Sequence, residues 1–302
     1  MRTITQQHIR ERLWYRYQRR LAPYLFISPF YILFVVFALG PLIAALYFSM
    51  IKWPGTGPMT FLGLANYLEL FEDEIFLKSL GNTTYYAIGA VFVILPVALF
   101  LALLINAAVV RAKSVFRIAF ILPVLTSTVA ATIMFLLMFE HQYGLFNVAL
   151  EAVGLKALKW LDEELVKLSV LLVAAWRYTG LNMLYFLAGL QSIHTDVYEA
   201  ASVDGAGRWT TFWQITLPLL RPVSLFVVVV TIIGSFQFFA EPLLLAGGGP
   251  NNASLTIANY LYRVGFSYLR MGYASAVGYI LAVIIFILTL LQLKFFGAFG
   301  RS

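Results

Sequence analysis

The chain has 302 residues, of which 61% are hydrophobic, 16% aromatic and only 12% charged, about half the charge of a soluble domain. Its 21 basic and 14 acidic residues cannot clothe a water-facing surface of this size, which excludes a soluble enzyme and leaves a chain embedded in lipid. The absence of cysteine and of any Gly-Lys dipeptide also excludes disulfide frameworks, thiolate metal sites and phosphate-cradling P-loops, so the chain does not hydrolyse ATP by itself.

Residues 1–20 carry Arg2, Arg10, Arg12, Arg16, Arg19 and Arg20, interleaved with Trp14, Tyr15 and Tyr17. Arginines and aromatics placed just before a long apolar run read as a cytoplasmic flank with interfacial anchors, not as a nucleic-acid surface. The run 21–51 is free of charge and longer than the apolar core of a cleavable signal peptide, so it reads as a retained membrane helix. Further charge-free runs at 79–110, 118–139, 222–240 and 271–293 meet the length of about 20 residues that a bilayer core requires. The stretch Leu168–Leu190 is interrupted only by Arg177, which brings the expectation to an all-α membrane protein with six spans.

Basic residues orient these spans. With the N-terminus inside, segments 1–20, 111–117, 191–222 and 294–302 hold thirteen of them and the outer loops hold seven. The weak place is 191–222, where Asp196, Glu199 and Asp204 outnumber the basic residues. The expected organisation is a cytoplasmic segment 1–20, a first helix with its outer loop over 21–80, a five-helix core over 81–296 containing a cytoplasmic loop 196–218, and a tail 297–302. Outer turns at Trp53-Pro54-Gly55 and Gly247-Gly248-Gly249-Pro250-Asn251 read as ordered.

Intramembrane charge marks function by default, which singles out Arg177 and Glu241. Their structural readings are snorkelling or pairing with an outer-loop acid for Arg177, and an interfacial position for Glu241. The long spans hold no acidic or histidine relay of the kind an ion-coupled carrier uses, and His8, His141 and His194 stand too far apart to imply a metal site. Asn182, Ser235 and Gln237 either line a cavity suited to hydroxyl-rich ligands or join helices by hydrogen bonds.

In the loop 196–218, Asp196 with Glu199 three positions on has the spacing of a capping box that starts a short helix. Gly205 and Gly207 permit a reversal, and Arg208–Leu217 forms a second helix that Pro218 stops at the membrane. Glu199 then serves either its own helix cap or a partner.

Glu199-Ala200-Ala201, Gly205 and Ile215-x-Leu217-Pro218 stand at the spacing of the EAA loop of binding-protein-dependent ABC importer permeases, which the segment resembles. The remaining chain is similar to the maltose-type carbohydrate permeases of the first-subunit kind, at Ser28-Pro29-Phe30, Phe61-x-Gly63-Leu64-x-Asn66-Tyr67, Asn82-Thr83, Leu122-Pro123, Trp176, Gly247-Gly248-Gly249-Pro250 and Gly272-Tyr273-Ala274-Ser275-Ala276. The resemblance implies a type I ABC importer fold in a bacterial or archaeal plasma membrane, with both termini cytoplasmic. It implies four kinds of partner: a second homologous permease, two ATPase subunits, an extracytoplasmic solute-binding protein and membrane lipid. No cofactor is expected in this chain, ATP and Mg being held by the ATPases, and no catalytic or metal site. The ATPase-coupling positions it implies are Glu199, Ala200, Ala201, Asp204, Gly205, Ile215, Leu217 and Pro218. By position it places Thr128, Tyr178, Ser235 and Phe238 on the solute path, to which Gln237 is added because an amide can grip hydroxyls. Two alternatives stay open: an importer of a non-sugar solute such as glycerol phosphate, and an ATPase-independent channel or carrier.

Overall fold

The computed structural model describes residues 20–107 and 112–296. The basic segment therefore enters only at Arg20, and Arg111 and the tail 297–302 lie outside the described residues. Among the described residues the chain is helical apart from loops and one antiparallel pair of two-residue strands, β1 (Ile51–Lys52) and β2 (Thr60–Phe61).

Four helices are long and apolar enough to cross a membrane: α1 (Arg20–Ser49), α3 (Glu74–Asn106), α7 (Val166–Gln191) and α13 (Met271–Phe295). Between α1 and α3 lies α2 (Ala65–Glu72). The third charge-free run, expected as one span, is instead two helices, α4 (Lys113–Leu125) and α5 (Thr128–Met138), bent by 92°. Pro123 removes one ladder donor, and Thr126 and Ser127 adopt extended backbone, with the Thr126 hydroxyl donating to the Pro123 carbonyl. A second bend of 65° separates α9 (Arg208–Leu219) from α10 (Arg221–Phe236). Counting each bent pair as one span gives up to six. The shorter helices are α6 (Leu145–Ala152), α8 (Thr195–Val203), α11 (Ala240–Ala246) and α12 (Ile257–Tyr262).

Of the four widened π turns among the described residues, those at Val35–Leu39, Ala90–Ile94 and Phe212–Thr216 each end two residues before a proline, Pro41, Pro96 and Pro218, whereas the one at Arg263–Ser267 precedes none. A proline inside a helix lacks the N–H and presses on the preceding turn; widening that turn relieves both and lets the helix continue. Pro218 accordingly does not stop the second loop helix, which runs on to Leu219.

The core is built where α3, α7 and α10 meet. α4 also crosses α7 at Gly180, where a Cβ would stand 1.7 Å from the Phe120 carbonyl oxygen, so only glycine admits this approach. By contrast, α1 leaves Phe26, Phe30 and Phe37 exposed and packs chiefly through its C-terminal end, against α13.

Ordered loops close one end of the bundle. Asn82 donates to the carbonyls of Asn252 (2.8 Å) and Leu255 (3.0 Å), and Thr83 accepts from the Ile257 amide at 2.9 Å. Asn147, buried beneath the 141–160 loop, donates to the His141 and Leu158 carbonyls and accepts from the Leu158 amide and the Trp160 indole. Asp73 caps α3 through the amides of Ile75 (2.9 Å) and Phe76 (3.2 Å) and also accepts from the hydroxyls of Tyr260 and Tyr273. Burial pushes its carboxyl up, but these four donors outweigh burial and hold it below its ordinary value of 3.8.

A carboxylate depressed in the folded state stabilises at neutral pH and loses that contribution as pH falls through its folded pKa. We therefore expect Asp73→Ala to lower the melting temperature of the solubilised protein at pH 7, with a cost of about 1–2 kcal/mol from the lost cap. The gap from wild type should shrink below about pH 4, as the native carboxyl protonates. A gap of constant size down to about pH 3 would contradict this role.

Candidate functional site

Two places concentrate the residues singled out above. The first is a cavity of about 230 Å³ enclosed by α3, α7 and α10. Its lining follows helical periodicity. Tyr86, Ala90 and Ile94 come from α3, Tyr178, Leu181, Asn182 and Tyr185 from α7, and Val230, Thr231, Gly234, Ser235 and Phe238 from α10 and its end. Spacings of three, four and seven put each set on one helix face.

Of the five path residues expected from the sequence, the fold brings Tyr178, Ser235 and Phe238 to this cavity. Thr128 stands outside it, half-buried in the first turn of α5 beyond the 92° bend, with its carbonyl accepting from the Thr132 hydroxyl. Gln237 follows the last residue of α10, is exposed and does not line the cavity. Tyr86, Asn182, Tyr185 and Thr231 join the lining instead. The one-face spacing to Tyr178 and Ser235 was the signal in the sequence for all of these but Tyr86, which lies on another helix.

Arg177 and Glu241 meet behind the cavity wall. Arg177 Nε stands 3.4 Å from Glu241 Oε1, and the residues are 5% and 2% exposed. The Tyr178 hydroxyl donates to the same Glu241 oxygen at 2.8 Å. Glu241 is therefore a buried counter-ion at the start of α11, where the helix dipole favours its charge, not an interfacial residue. The pairing reading of Arg177 holds and snorkelling does not. The ion pair has no hydrogen-bond geometry, and Arg177 Nε and Nη1 make no hydrogen bond among the described residues.

The second place is the loop 196–218. α8 begins at Thr195 with His194 at its N-cap position and no side-chain cap, so Asp196 lies inside the first turn and the expected capping box does not form. Glu199 is exposed and makes no hydrogen bond or ion pair among the described residues. Ala200 is exposed beside it, whereas Ala201 is buried at 6%. After Asp204, Gly205 takes φ +74°; its N–H bonds the Ser202 carbonyl at 3.1 Å and that of Ala206 bonds the Ala201 carbonyl at 2.9 Å. These are the two bonds of a Schellman turn, which requires a left-handed residue at this position. Gly207, at φ −70°, carries ordinary backbone. α9 then turns back, carrying Ile215, Leu217 and Pro218 toward the membrane, and leaves Val203, Trp209 and Trp213 exposed around the turn. The hairpin thus presents an apolar-rimmed knob whose exposed Glu199 carboxylate bonds nothing among the described residues.

Comparison with known proteins agrees with this architecture. Residues 94–296 match the family described as binding-protein-dependent transport system inner membrane component. The arabinooligosaccharides transport system permease protein AraP of Bacillus subtilis (strain 168) is 39% identical over 286 residues, covering 94% of this chain and 91% of that protein. The lactose transport system permease protein LacF of Rhizobium radiobacter is 34% identical, over 92% and 94% of the two chains. The sn-glycerol-3-phosphate transport system permease protein UgpA of Agrobacterium fabrum (strain C58 / ATCC 33970) is 35% identical, over 92% and 96%. In fold, the chain superposes with a TM-score of 0.84 on a chain of the bacterial alginate ABC transporter crystallised with its alginate pentasaccharide-bound periplasmic protein, at 24% identity over 96% and 99% of the two chains. A multi-pass helical chain with a cavity between its helices, an EAA-type hairpin and this similarity along nearly its whole length belongs to the binding-protein-dependent transport system inner membrane component family, as a permease subunit of an ABC importer.

Proposed function

We propose that this permease carries an uncharged carbohydrate, whether sugar, oligosaccharide or polyol, across a bacterial or archaeal plasma membrane by alternating access. One observation carries the reading: the cavity wall is mostly apolar, its polar side chains are hydroxyls and one amide with no charged residue among the described residues, and the guanidinium behind it is balanced by Glu241. Relatives named for arabino-oligosaccharides and lactose support it. The glycerol-phosphate relative points the other way, but Arg177, which would serve a phosphate, is already paired.

In this reading a second homologous permease, two ATPase subunits and an extracytoplasmic binding protein complete the importer. The ATPases hold ATP and Mg, and this chain contributes motion, not catalysis. Each bent helix pair counts as one span, giving six, with the first helix peripheral to a core from 81 onward. Glu199, Ala200, Ala201, Asp204 and Gly205 form the knob that enters the ATPase, and Ile215, Leu217 and Pro218 tie it to α10. Binding energy drives the cycle only where it differs between the inward- and outward-facing states.

The orientation has its own test in this cysteine-free chain. Single cysteines at Glu199 are expected to resist an impermeant thiol reagent in intact cells, whereas those at Asp73, Glu163 and Asn251 label. Labelling of position 199 from outside would invert the topology.

Function is tested in proteoliposomes holding the assembled importer and its binding protein. Uptake of radiolabelled arabinotriose is expected to require ATP and the ATPase subunits, and sn-glycerol 3-phosphate is not expected to be taken up. Uptake without the ATPase makes the chain a self-sufficient channel or carrier, and uptake of the phosphate ester alone overturns the carbohydrate reading.

A further inference from the structure

Hydrogen positions in the cavity wall distinguish kinds of solute. Three of its hydroxyls have their proton committed to the protein: Tyr178 donates to Glu241 (2.8 Å), Thr231 to the Asn182 side-chain oxygen (3.3 Å) and Ser235 to the Thr231 carbonyl (2.8 Å). A hydroxyl that has given its proton away offers a visitor only lone pairs. One amide hydrogen of Asn182 is likewise held by the Tyr178 carbonyl at 2.9 Å. Two lining hydroxyls have no such partner among the described residues, that of the half-buried Tyr185 and that of the buried Tyr86. Tyr86 is 2% exposed, lies in the cavity lining with its ring edge-on to Phe238, and its hydroxyl has no hydrogen-bond partner among the described residues. A buried phenol left unpaired costs free energy comparable to a lost hydrogen bond, unless a ligand or water completes it.

We propose that Tyr86 is a solute-contacting, specificity-determining residue, and that the cavity selects solutes that donate hydrogen bonds from many hydroxyls while accepting one from Tyr86. The Glu241 carboxylate acts through Tyr178 as a positioning group: by accepting the phenol's hydrogen bond it leaves that oxygen to serve as an acceptor toward the cavity. The three committed hydroxyls offer acceptors to sugar hydroxyls. They offer nothing to carboxylate or phosphate oxygens, which bring lone pairs and negative charge and no proton to share. This rests on the carbohydrate reading and sharpens it, since it explains the exclusion of anions by the wall itself and names a contact from α3.

The test uses the assembled importer in nanodiscs and direct binding of arabinotriose and of sn-glycerol 3-phosphate. Tyr86→Phe removes only the hydroxyl and keeps the contact with Phe238. It is expected to weaken arabinotriose binding about 3- to 10-fold, the worth of one hydrogen bond. Tyr85→Phe, one residue away and 40% exposed, should leave binding unchanged. If arabinotriose binds wild type and Tyr86→Phe equally, the proposal fails while the carbohydrate reading stands. If wild type binds the phosphate ester as tightly as the sugar, the acceptor wall is wrong. If wild type binds the ester and not the sugar, the carbohydrate reading itself falls. A series of singly deoxygenated arabinotrioses provides a measurement within one folded protein: one analogue should bind wild type more weakly yet lose nothing further in Tyr86→Phe. Equal losses for every analogue in both proteins would also overturn the assignment.

Discussion

Replacing Arg177 with methionine or Glu241 with leucine is expected to destabilise the protein by about 3–5 kcal/mol in each case, because each change strands a buried charge. The side chains are only 6% and 3% exposed and lie 3.4 Å apart, so neither has water to fall back on when its partner is removed. The two losses are not additive. Arg177→Met/Glu241→Leu removes both charges at roughly conserved volume and should recover most of the stability, as apolar replacement of a buried pair often does. It should not recover transport, since Tyr178 then loses the carboxylate that holds its hydroxyl at 2.8 Å. The measurements are melting temperatures of the detergent-solubilised complex and uptake in vesicles. A double variant as unstable as the two single losses summed would show that the residues do not act as a pair. Full transport in the double variant would remove Glu241 from the positioning of Tyr178.

Glu199→Gln should leave this chain's own stability within about 0.5 kcal/mol of wild type, because the side chain is exposed and bonded to nothing among the described residues. If Glu199 serves a basic residue of the ATPase across a partly buried contact, removing its charge leaves that partner unpaired and costs about 2–5 kcal/mol of association, upward of 30-fold in affinity. Gly205→Val probes the same knob by a different route. A Cβ at Gly205 meets no heavy atom within 4 Å, so the substitution acts through backbone alone, forcing a β-branched residue to φ +74°. That strain is worth about 1–3 kcal/mol and reorients α9 relative to α8. Both variants should insert and express normally yet lose ATPase association and solute-stimulated hydrolysis. Wild-type assembly and hydrolysis in both would strip the hairpin of its coupling role.

Much of this protein was legible without coordinates, for reasons that are local. Charge-free runs locate apolar helices because a bilayer core sets one length scale, and the four unbroken spans stand where the runs are. Gly205 was readable as a reversal because a left-handed turn leaves few other residues. The bend inside the run 118–139 was not legible, since hydropathy counts apolar residues and is blind to direction. Pro123 with Thr126-Ser127 turns one apolar run by 92°. The capping box failed for a related reason. The spacing of Asp196 and Glu199 was right, but the helix starts two residues earlier, with His194 at the N-cap, and so Glu199 has no cap to serve.

The cavity belongs to the tertiary structure almost entirely. Tyr178 and Glu241 are 63 positions apart and share one hydrogen bond, and Tyr86 reaches the same space from a third helix. Sequence alone marks Arg177 and Glu241 as costly charges, each with a plausible solitary explanation. Only the meeting of α7 with α11 makes them partners, because the energy of a charge in a membrane depends on what stands within a few ångströms of it and not on its neighbours along the chain.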